Sequence, residues 1–140
     1  MKPAFTLLLL ISFLSLLGQN KDEKEIRELL NNQTKAWNKA DIDGFMVGYW
    51  DSNSLMFIGK AGITYGYQPT SDNYKKNYSD TAQMGQLSFE ILHVNKLSSE
   101  YYFVVGKWFL KRSVGDIGGH YTLLFRKISG KWVIVSDHSS

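Results

Sequence analysis

An acid stands directly beside an imidazole near the end of the chain, at Asp137-His138. Such a pair is common in acid–base and metal sites, because the imidazole titrates near neutral pH and the carboxylate orients it. Adjacent side chains of a strand point to opposite faces, so only one of the two should enter a pocket unless a bulge intervenes. Strict alternation places His138 on the face of Trp132 and Ile134. Both residues are catalytic candidates, and the alternative for each is a hydrogen-bonded residue that closes the strand.

Other titratable residues give weaker signals. His93 and His120 lie on different segments without the close spacing of zinc ligands, so no metal site is predicted. His120 begins a strand and is a candidate ligand-binding residue at a pocket rim, or simply an exposed one. Asp41 and Asp43, two residues apart at a helix start, point about 200° from one another. Helix capping explains them better than paired catalysis. No glycine-rich phosphate loop is present, and no cofactor is predicted.

Aromatic residues make up 14% of the chain, a high share for so short a sequence. Tyrosine and tryptophan have polar tips that need partners when buried, so a cluster of them favours a wet pocket over a dry core. For any single ring, core packing is the alternative. Arg126 is a further predicted ligand contact, and Arg126 or Tyr78 could assist an enzyme. The aromatic residues predicted to bind ligand are Trp37, Tyr49, Trp50, Phe57, Tyr78, Phe89 and Trp108.

Hydrophobic spacing predicts three helices in the first half of the domain. The first begins at Asp22, which with Glu25 has the spacing of a capping box. Asp41 begins a second, shorter helix, and Pro69 suits the first turn of a third. A small hairpin, with strands at 55–58 and 63–65, separates the second helix from the third.

Beyond a polar loop at 79–85, the apolar period changes from that of a helix to that of a strand. Strands this long must twist and bend, and Gly106 is a candidate bend point. The predicted fold is therefore α+β, with three helices and a small hairpin packed on a curved antiparallel sheet around a conical hollow. The long strands are predicted at 87–93, 101–112, 119–128 and 131–139.

The first residues have the pattern of an export signal. Lys2 supplies a positive charge, residues 7–17 form an apolar run, and Gly18 is a small residue near a cleavage point. The run is shorter than the roughly 20 residues that span a bilayer. We predict a cleaved signal at 1–19, one domain at 20–140, and no membrane span after cleavage. The chain contains no cysteine, which for an exported protein fits a bacterial periplasm, although secretion remains open.

Charge excludes a nucleic-acid partner. The whole chain has 16 basic and 13 acidic side chains, and cleavage would remove one of the basic ones, Lys2, leaving a net charge of +2. The basic residues are scattered, so no stripe exists to follow a phosphate backbone.

The order of two sequence phrases resembles the nuclear transport factor 2-like superfamily, and within it the SnoaL-like domains of unknown function. The phrases are Asn38-Lys39-Ala40-Asp41-Ile42-Asp43-Gly44-Phe45 and Gly130-Lys131-Trp132-Val133-Ile134-Val135-Ser136-Asp137-His138-Ser139. The second is also similar to the end of the calcium/calmodulin-dependent kinase association domain. The resemblance implies a cone-shaped α+β fold, a deep pocket and dimers formed through the sheet. It implies no single activity.

Within this resemblance, the ketosteroid isomerase pattern is incomplete. Alignment on the first phrase puts the position of the catalytic base at Phe57 and that of the oxyanion tyrosine at Gln33. Phenylalanine cannot accept a proton, and glutamine is only a neutral donor. The resemblance therefore does not carry that mechanism to this chain.

Three functional hypotheses follow. The first is an exported domain that binds a small, largely apolar or aromatic molecule. The second is a cofactor-independent isomerase, lyase or hydrolase that uses Asp137 or His138. The third is a homo-oligomeric assembly module, because Phe103 and Val105 give the strand at 101–112 one apolar face while Val104 gives it another. Two apolar faces imply two covers, of which one would be a second subunit, most simply in a homodimer through the sheet.

Overall fold

A computed structural model describes the backbone of residues 4–140 and the side chains of residues 21–140. Lys2 and the apolar side chains of the predicted signal lie outside the described residues, so signal cleavage stays a prediction. No helix in the described part of the chain combines the length and apolar character that crossing a membrane requires.

The helices come first along the chain. Asp41 caps the second, as predicted, by accepting a hydrogen bond of 2.8 Å from the backbone N–H of Gly44. The first helix does not begin at Asp22 but continues through it. A four-residue helix within the predicted polar loop was not expected. The helices are α1 (Ala4–Trp37), α2 (Ile42–Met46), α3 (Tyr67–Asn77) and α4 (Thr81–Met84).

Six strands form one curved sheet, in the order β2-β1-β6-β5-β4-β3. The neighbours pair antiparallel except β1 and β6, which run parallel. The predicted hairpin therefore extends the long sheet at one edge. All four long strands lie close to their predicted positions, which confirms the α+β fold class. The strands are β1 (Met56–Gly59), β2 (Gly62–Tyr65), β3 (Gln86–Lys96), β4 (Tyr101–Lys111), β5 (Ile117–Ile128) and β6 (Lys131–Ser139).

Two register shifts change which side chains face the helices. In β6 the shift lies opposite Leu124 and Phe125, and Val135 is the extra residue. Beyond it Asp137 is buried and His138 is exposed. Strict alternation, which placed His138 on the face of Trp132 and Ile134, is therefore wrong, because a bulge exchanges the two faces of a strand.

The second shift, in β3, lies between Ile91 and His93. It turns His93 outwards, so that Val94 follows Ile91 among the side chains that pack against the core. Gly106 of β4 pairs with Ile91 of β3, the last residue before this shift, and with Tyr121 of β5. A side chain at 106 would collide with the Tyr121 ring, so this glycine gives the ring room to lie across the sheet.

The core lies between α1, α2 and the inner face of the sheet. Asp22 of α1 joins this packing to the sheet: its carboxylate accepts hydrogen bonds from Lys127 Nζ at 3.0 Å and from Trp132 Nε1 at 3.1 Å. The most deeply buried apolar side chains are those of Ile26, Leu30, Met46, Leu55, Val104, Phe125 and Ile134.

Candidate functional site

A cavity of about 600 Å³ opens between the inner face of the sheet, α1, α3 and the β1–β2 hairpin. Its size lies within the range of about 300 to 1,000 Å³ that is usual for small-molecule sites. Many of the aromatic side chains in its wall meet edge to face. The rings and apolar side chains in its wall include Trp37, Phe45, Tyr49, Phe57, Tyr74, Tyr78, Leu87, Phe89, Trp108 and Tyr121.

Trp37 is the centre of the aromatic wall. Its ring centroid lies 5.1 Å from that of Phe45 and 4.9 Å from that of Tyr78, both in edge-to-face geometry. Its indole N–H donates to the Met84 carbonyl at 3.1 Å. Since this bond fixes the ring and satisfies its polar tip, Trp37 offers the cavity an apolar surface.

Asp137 is the acid of this cavity and is 4% exposed. Tyr49 Oη donates to its Oδ2 at 2.7 Å, and Ser139 Oγ donates to its Oδ1 at 2.8 Å. Burial raises the pKa of Asp137 to about 6, although the two hydrogen bonds and the charge of His138 each lower it in part. The carboxyl therefore exchanges its proton near neutral pH.

A second tyrosine extends this hydrogen-bond network to α3. The hydroxyls of Tyr49 and Tyr74 are 3.3 Å apart. Burial, together with the nearby charge of Asp137, raises the pKa of both phenols well above 10. Both tyrosines are therefore neutral at physiological pH. Tyr74 is half-buried and Tyr49 is buried, so Tyr74 is the more accessible of the two phenols.

Charge in the cavity wall is limited to two described side chains. Asp137 lies inside, and Lys60 lies on the turn of the β1–β2 hairpin. The other polar groups of the wall are neutral hydroxyls, amides and indole N–H groups, and among the described residues Trp108 Nε1 and Tyr121 Oη lie buried without a hydrogen-bond partner. Such a site suits an uncharged, mostly apolar molecule with one polar atom placed near the carboxyl.

The SnoaL-like domain family matches residues 26–140 of the chain. The chain belongs to this family. An NTF2-like protein of unknown function from Shewanella oneidensis MR-1 is 42% identical, with a TM-score of 0.82 over 85% of this chain and 98% of that one.

More distant structures share the fold of this SnoaL-like domain. An NTF2-like protein of unknown function from Pseudomonas putida KT2440 is 17% identical, with a TM-score of 0.72 over 86% of this chain and 87% of that one. A ketosteroid isomerase-like protein from Erwinia carotovora atroseptica SCRI1043 is 20% identical, with a TM-score of 0.65 over 84% of this chain and 93% of that one. No protein of curated function is significantly similar in sequence.

The SnoaL-like cavity brings together seven of the side chains that the sequence singled out. Six are aromatic and the seventh is the acid of the final strand. That these residues share one cavity places them in reach of a common ligand, and their role in binding one stays a prediction. They are Trp37, Tyr49, Phe57, Tyr78, Phe89, Trp108 and Asp137.

Four other candidates lie outside the cavity wall. His138 is turned outwards by the bulge in β6, and His120 and Arg126 alternate with inward residues of β5. The guanidinium of Arg126 instead stacks over the Tyr101 ring, with its Cζ 5.6 Å from the ring centroid. Trp50 directly follows Tyr49, and its backbone N–H bonds to the Ile134 carbonyl.

Two members of the network were absent from the sequence-based site. Tyr74 lies four residues before Tyr78 on α3, so helical spacing could have added it once Tyr78 was chosen. Ser139 lies two residues after Asp137 on β6, so strand alternation places both side chains on one face and could have added it. Among the described residues, no three potential metal ligands come together.

Phe57 occupies the position at which the ketosteroid isomerase pattern has its base, yet the site still holds an acid. In the parallel pairing of β1 with β6, Phe57 is the register partner of Asp137. The carboxyl thus enters the cavity from the neighbouring strand at the same level. The other expected position, Gln33, is engaged with the protein itself, since its Nε2 donates to the Phe45 carbonyl at 3.1 Å.

Proposed function

We propose that this SnoaL-like domain binds a small, largely apolar or aromatic molecule in the cavity between α3 and the sheet. The observation that carries the proposal is the cavity itself, about 600 Å³ in volume with an aromatic wall and one buried acid. Edge-to-face rings leave flat apolar surfaces that a planar ligand can stack against. The carboxyl and its tyrosines supply the few polar contacts that fix a ligand's orientation.

Native mass spectrometry of the purified full chain tests this proposal. We expect an added mass that is released on unfolding and whose retention depends on the cavity. Phe57→Trp, which places a larger ring in the wall, should reduce the bound fraction, whereas Tyr101→Phe, outside the cavity, should not. Aromatic probes such as naphthol should bind the emptied protein. Absence of any retained molecule together with failure to bind the probe would contradict a ligand-binding role.

A second candidate is cofactor-independent acid–base catalysis by Asp137. One observation favours it: burial raises the pKa of Asp137 to about 6, near the pH at which a general base works best. One protein of similar fold is described as ketosteroid isomerase-like. A proton shift within the bound molecule would need no metal or cofactor. Isomerase, lyase and hydrolase chemistry all use such a group.

Two isosteric variants separate the catalyst from the binder. Asp137→Asn should lose turnover of the ligand identified by mass spectrometry while still retaining it. His138→Gln is the matched control, because His138 is exposed on the opposite face of β6. Equal turnover in both variants would remove Asp137 from the reaction and leave the binding function.

Location and assembly complete the proposal. The signal pattern at 1–19 supports export to the periplasm or beyond the cell. The outer face of the sheet supports a homodimer, because it presents half-buried apolar residues in cross-strand pairs, such as Phe103 with Leu124. An assembly module without a ligand is the remaining alternative, and it requires that the cavity bind nothing.

A further inference from the structure

The wall of the cavity changes in polarity from its interior to its mouth. Trp37, Leu110 and Asp137 are among its buried members. The exposed members mark the mouth, and they lie on the turn of the β1–β2 hairpin, on the C-terminal half of α3, at the start of β5 and directly after β6. They are Lys60, Ala61, Gly62, Asn73, Asn77, Gly118 and Ser140. The mouth is therefore small or polar in character, whereas the interior is mostly apolar.

Lys60 is the charged side chain of this mouth. It lies on the turn between β1 and β2, three residues after Phe57, which is the register partner of Asp137. Since a strand rises about 3.3 Å per residue, the backbone of Lys60 lies within about 10 Å of that level along β1. Of the two charged side chains in the described wall, one is thus inside the cavity and the other is at its entrance.

The Lys60 ammonium has no partner within the part of the chain that the structure describes. It takes part in no ion pair there, whereas Lys75 on α3 lies 2.6 Å from the Asp43 carboxylate. Ser140, also at the mouth, is engaged with β5, because its backbone N–H donates to the His120 carbonyl at 2.9 Å. Lys60 can therefore meet a group of the ligand without first breaking a contact within these residues.

The positions of Asp137 and Lys60 favour one orientation of a negatively charged ligand. Burial raises the pKa of Asp137 to about 6, so at about pH 7.5 this carboxyl is largely ionised and repels a second negative group beside it. Removing a carboxylate from water also costs most free energy in the apolar interior. At the mouth the same group keeps part of its hydration and is attracted by Lys60.

We propose that the ligand is an apolar or aromatic carboxylic acid, whose uncharged body fills the interior and whose carboxylate stays at the mouth beside Lys60. This inference rests on the ligand-binding function proposed above and narrows its ligand class. A lysine ammonium is a compact charge on a flexible stem, which suits a carboxylate that is still partly in water. Asn77 adds an amide at the same mouth that can donate to the second carboxylate oxygen. Lys60 determines specificity in this arrangement and takes part in no chemical step.

The mouth fits a carboxylate better than a phosphate. Phosphate sites use several donors, such as the N–H groups at a helix N-terminus or an arginine. This mouth offers one cation, and it lies at the C-terminal end of α3, where the partial negative charge of the helix disfavours a doubly charged group. One lysine matches one negative charge.

Calorimetric titration of the full chain with naphthylacetate and naphthylacetamide tests the proposal. The two probes share one ring system and differ only in a carboxylate against a neutral amide. At about pH 7.5, Lys60→Gln should lower the ratio of naphthylacetate affinity to naphthylacetamide affinity about twofold to fivefold. Affinity for naphthylacetamide should stay the same, which shows that the cavity is intact. Lys76→Gln is the matched control and should keep the ratio, because it removes an equal charge from an exposed position on α3 outside the cavity wall.

Salt gives a second measure of the same contact. The preference for naphthylacetate should shrink between about 50 mM and about 500 mM sodium chloride in the unaltered chain, because salt screens exposed charges. In Lys60→Gln the ratio should change much less with salt.

The outcomes separate this inference from the binding function. An unchanged ratio in Lys60→Gln means that the carboxylate does not meet Lys60, and an equal fall in Lys76→Gln means that the preference reflects overall charge. Either result overturns the inference while the binding function stands. Binding of naphthol but of neither naphthyl probe has the same meaning. If none of the three molecules binds, the proposed function is wrong as well.

Discussion

Asp137 lowers the stability of the folded chain at neutral pH, because its pKa is raised by burial. A group whose folded pKa lies above its unfolded value binds more protons in the folded state, so the free energy of unfolding falls as pH rises through that interval. For Asp137 the interval runs from 3.8 to about 6. At neutral pH the ionised Asp137 carboxylate therefore lowers the free energy of unfolding. The hydrogen bonds from Tyr49 and Ser139 offset part of this cost.

Asp137→Asn should therefore stabilise the protein at neutral pH. We expect the free energy of unfolding to rise by about 1 to 3 kcal/mol at about pH 7, and by much less at about pH 4, where the acid is already protonated. Urea unfolding at the two pH values measures both differences. His138→Gln controls for loss of the neighbouring charge. An equal effect of Asp137→Asn at both pH values would contradict the raised pKa.

At the level of elements, the sheet was predictable and its irregularities were not. The alternation of apolar and polar residues identifies the strands, because it shows that one face of each strand is buried. It gives no sign of the extra residue at Val135, since that bulge arises from how β6 pairs with β5. As a result, the sequence named both Asp137 and His138, but alternation put His138 on the face of Trp132 and Ile134, where the structure has Asp137. The positions of Tyr49 and Phe57 could be predicted because neither residue lies in β3 or β6, the two strands that contain an extra residue.

Gly106 affects both the curvature of the sheet and the wall of the cavity. Gly106→Ala would drive a methyl group into the Tyr121 ring, and because the nearby backbone of Glu90 prevents the strand from moving away, the ring must shift. We expect a loss of about 1 to 3 kcal/mol in the free energy of unfolding and weaker probe binding, since Tyr121 lines the cavity. Lys107→Ala, an exposed neighbour on β4, is the control. Unchanged stability in Gly106→Ala would mean that the ring has free space elsewhere.

Asp22 ties α1 to strands β5 and β6. Burial alone would raise the pKa of Asp22, but the hydrogen bonds from Lys127 and Trp132 and the charge of Lys127 outweigh it, and the pKa is lowered. A lowered pKa means stabilisation that is present above about pH 4 and lost as pH falls through the folded value.

Asp22→Ala should lower the free energy of unfolding by about 1 to 2 kcal/mol at neutral pH, because it also leaves the Trp132 indole N–H without its acceptor. Thermal or urea unfolding detects this. Asp43→Ala is the matched control, since its ion pair with Lys75 is largely exposed and should contribute little. If both substitutions cost the same, Asp22 is an ordinary surface acid.

For the whole molecule, the question is what covers the outer face of the sheet. On β4 this face presents Phe103 and Val105, both half-buried, and Phe109, which is 44% exposed. Arg126 Nε is buried there with no hydrogen-bond partner among the described residues, while its guanidinium lies over Tyr101. Aromatic residues with an arginine are typical of the centre of a protein interface.

Val105→Lys should therefore dissociate the proposed homodimer without emptying the cavity, because Val105 points away from the core. Sedimentation at several concentrations should show a dimer for the unaltered chain and a monomer for the variant, while naphthol still binds. Ile63→Lys introduces the same charge at a residue that is 53% exposed on β2, at the edge of the sheet, and should leave the dimer intact. A monomer before any substitution would rule out the dimer. Loss of naphthol binding together with dissociation would mean that the cavity depends on the second subunit.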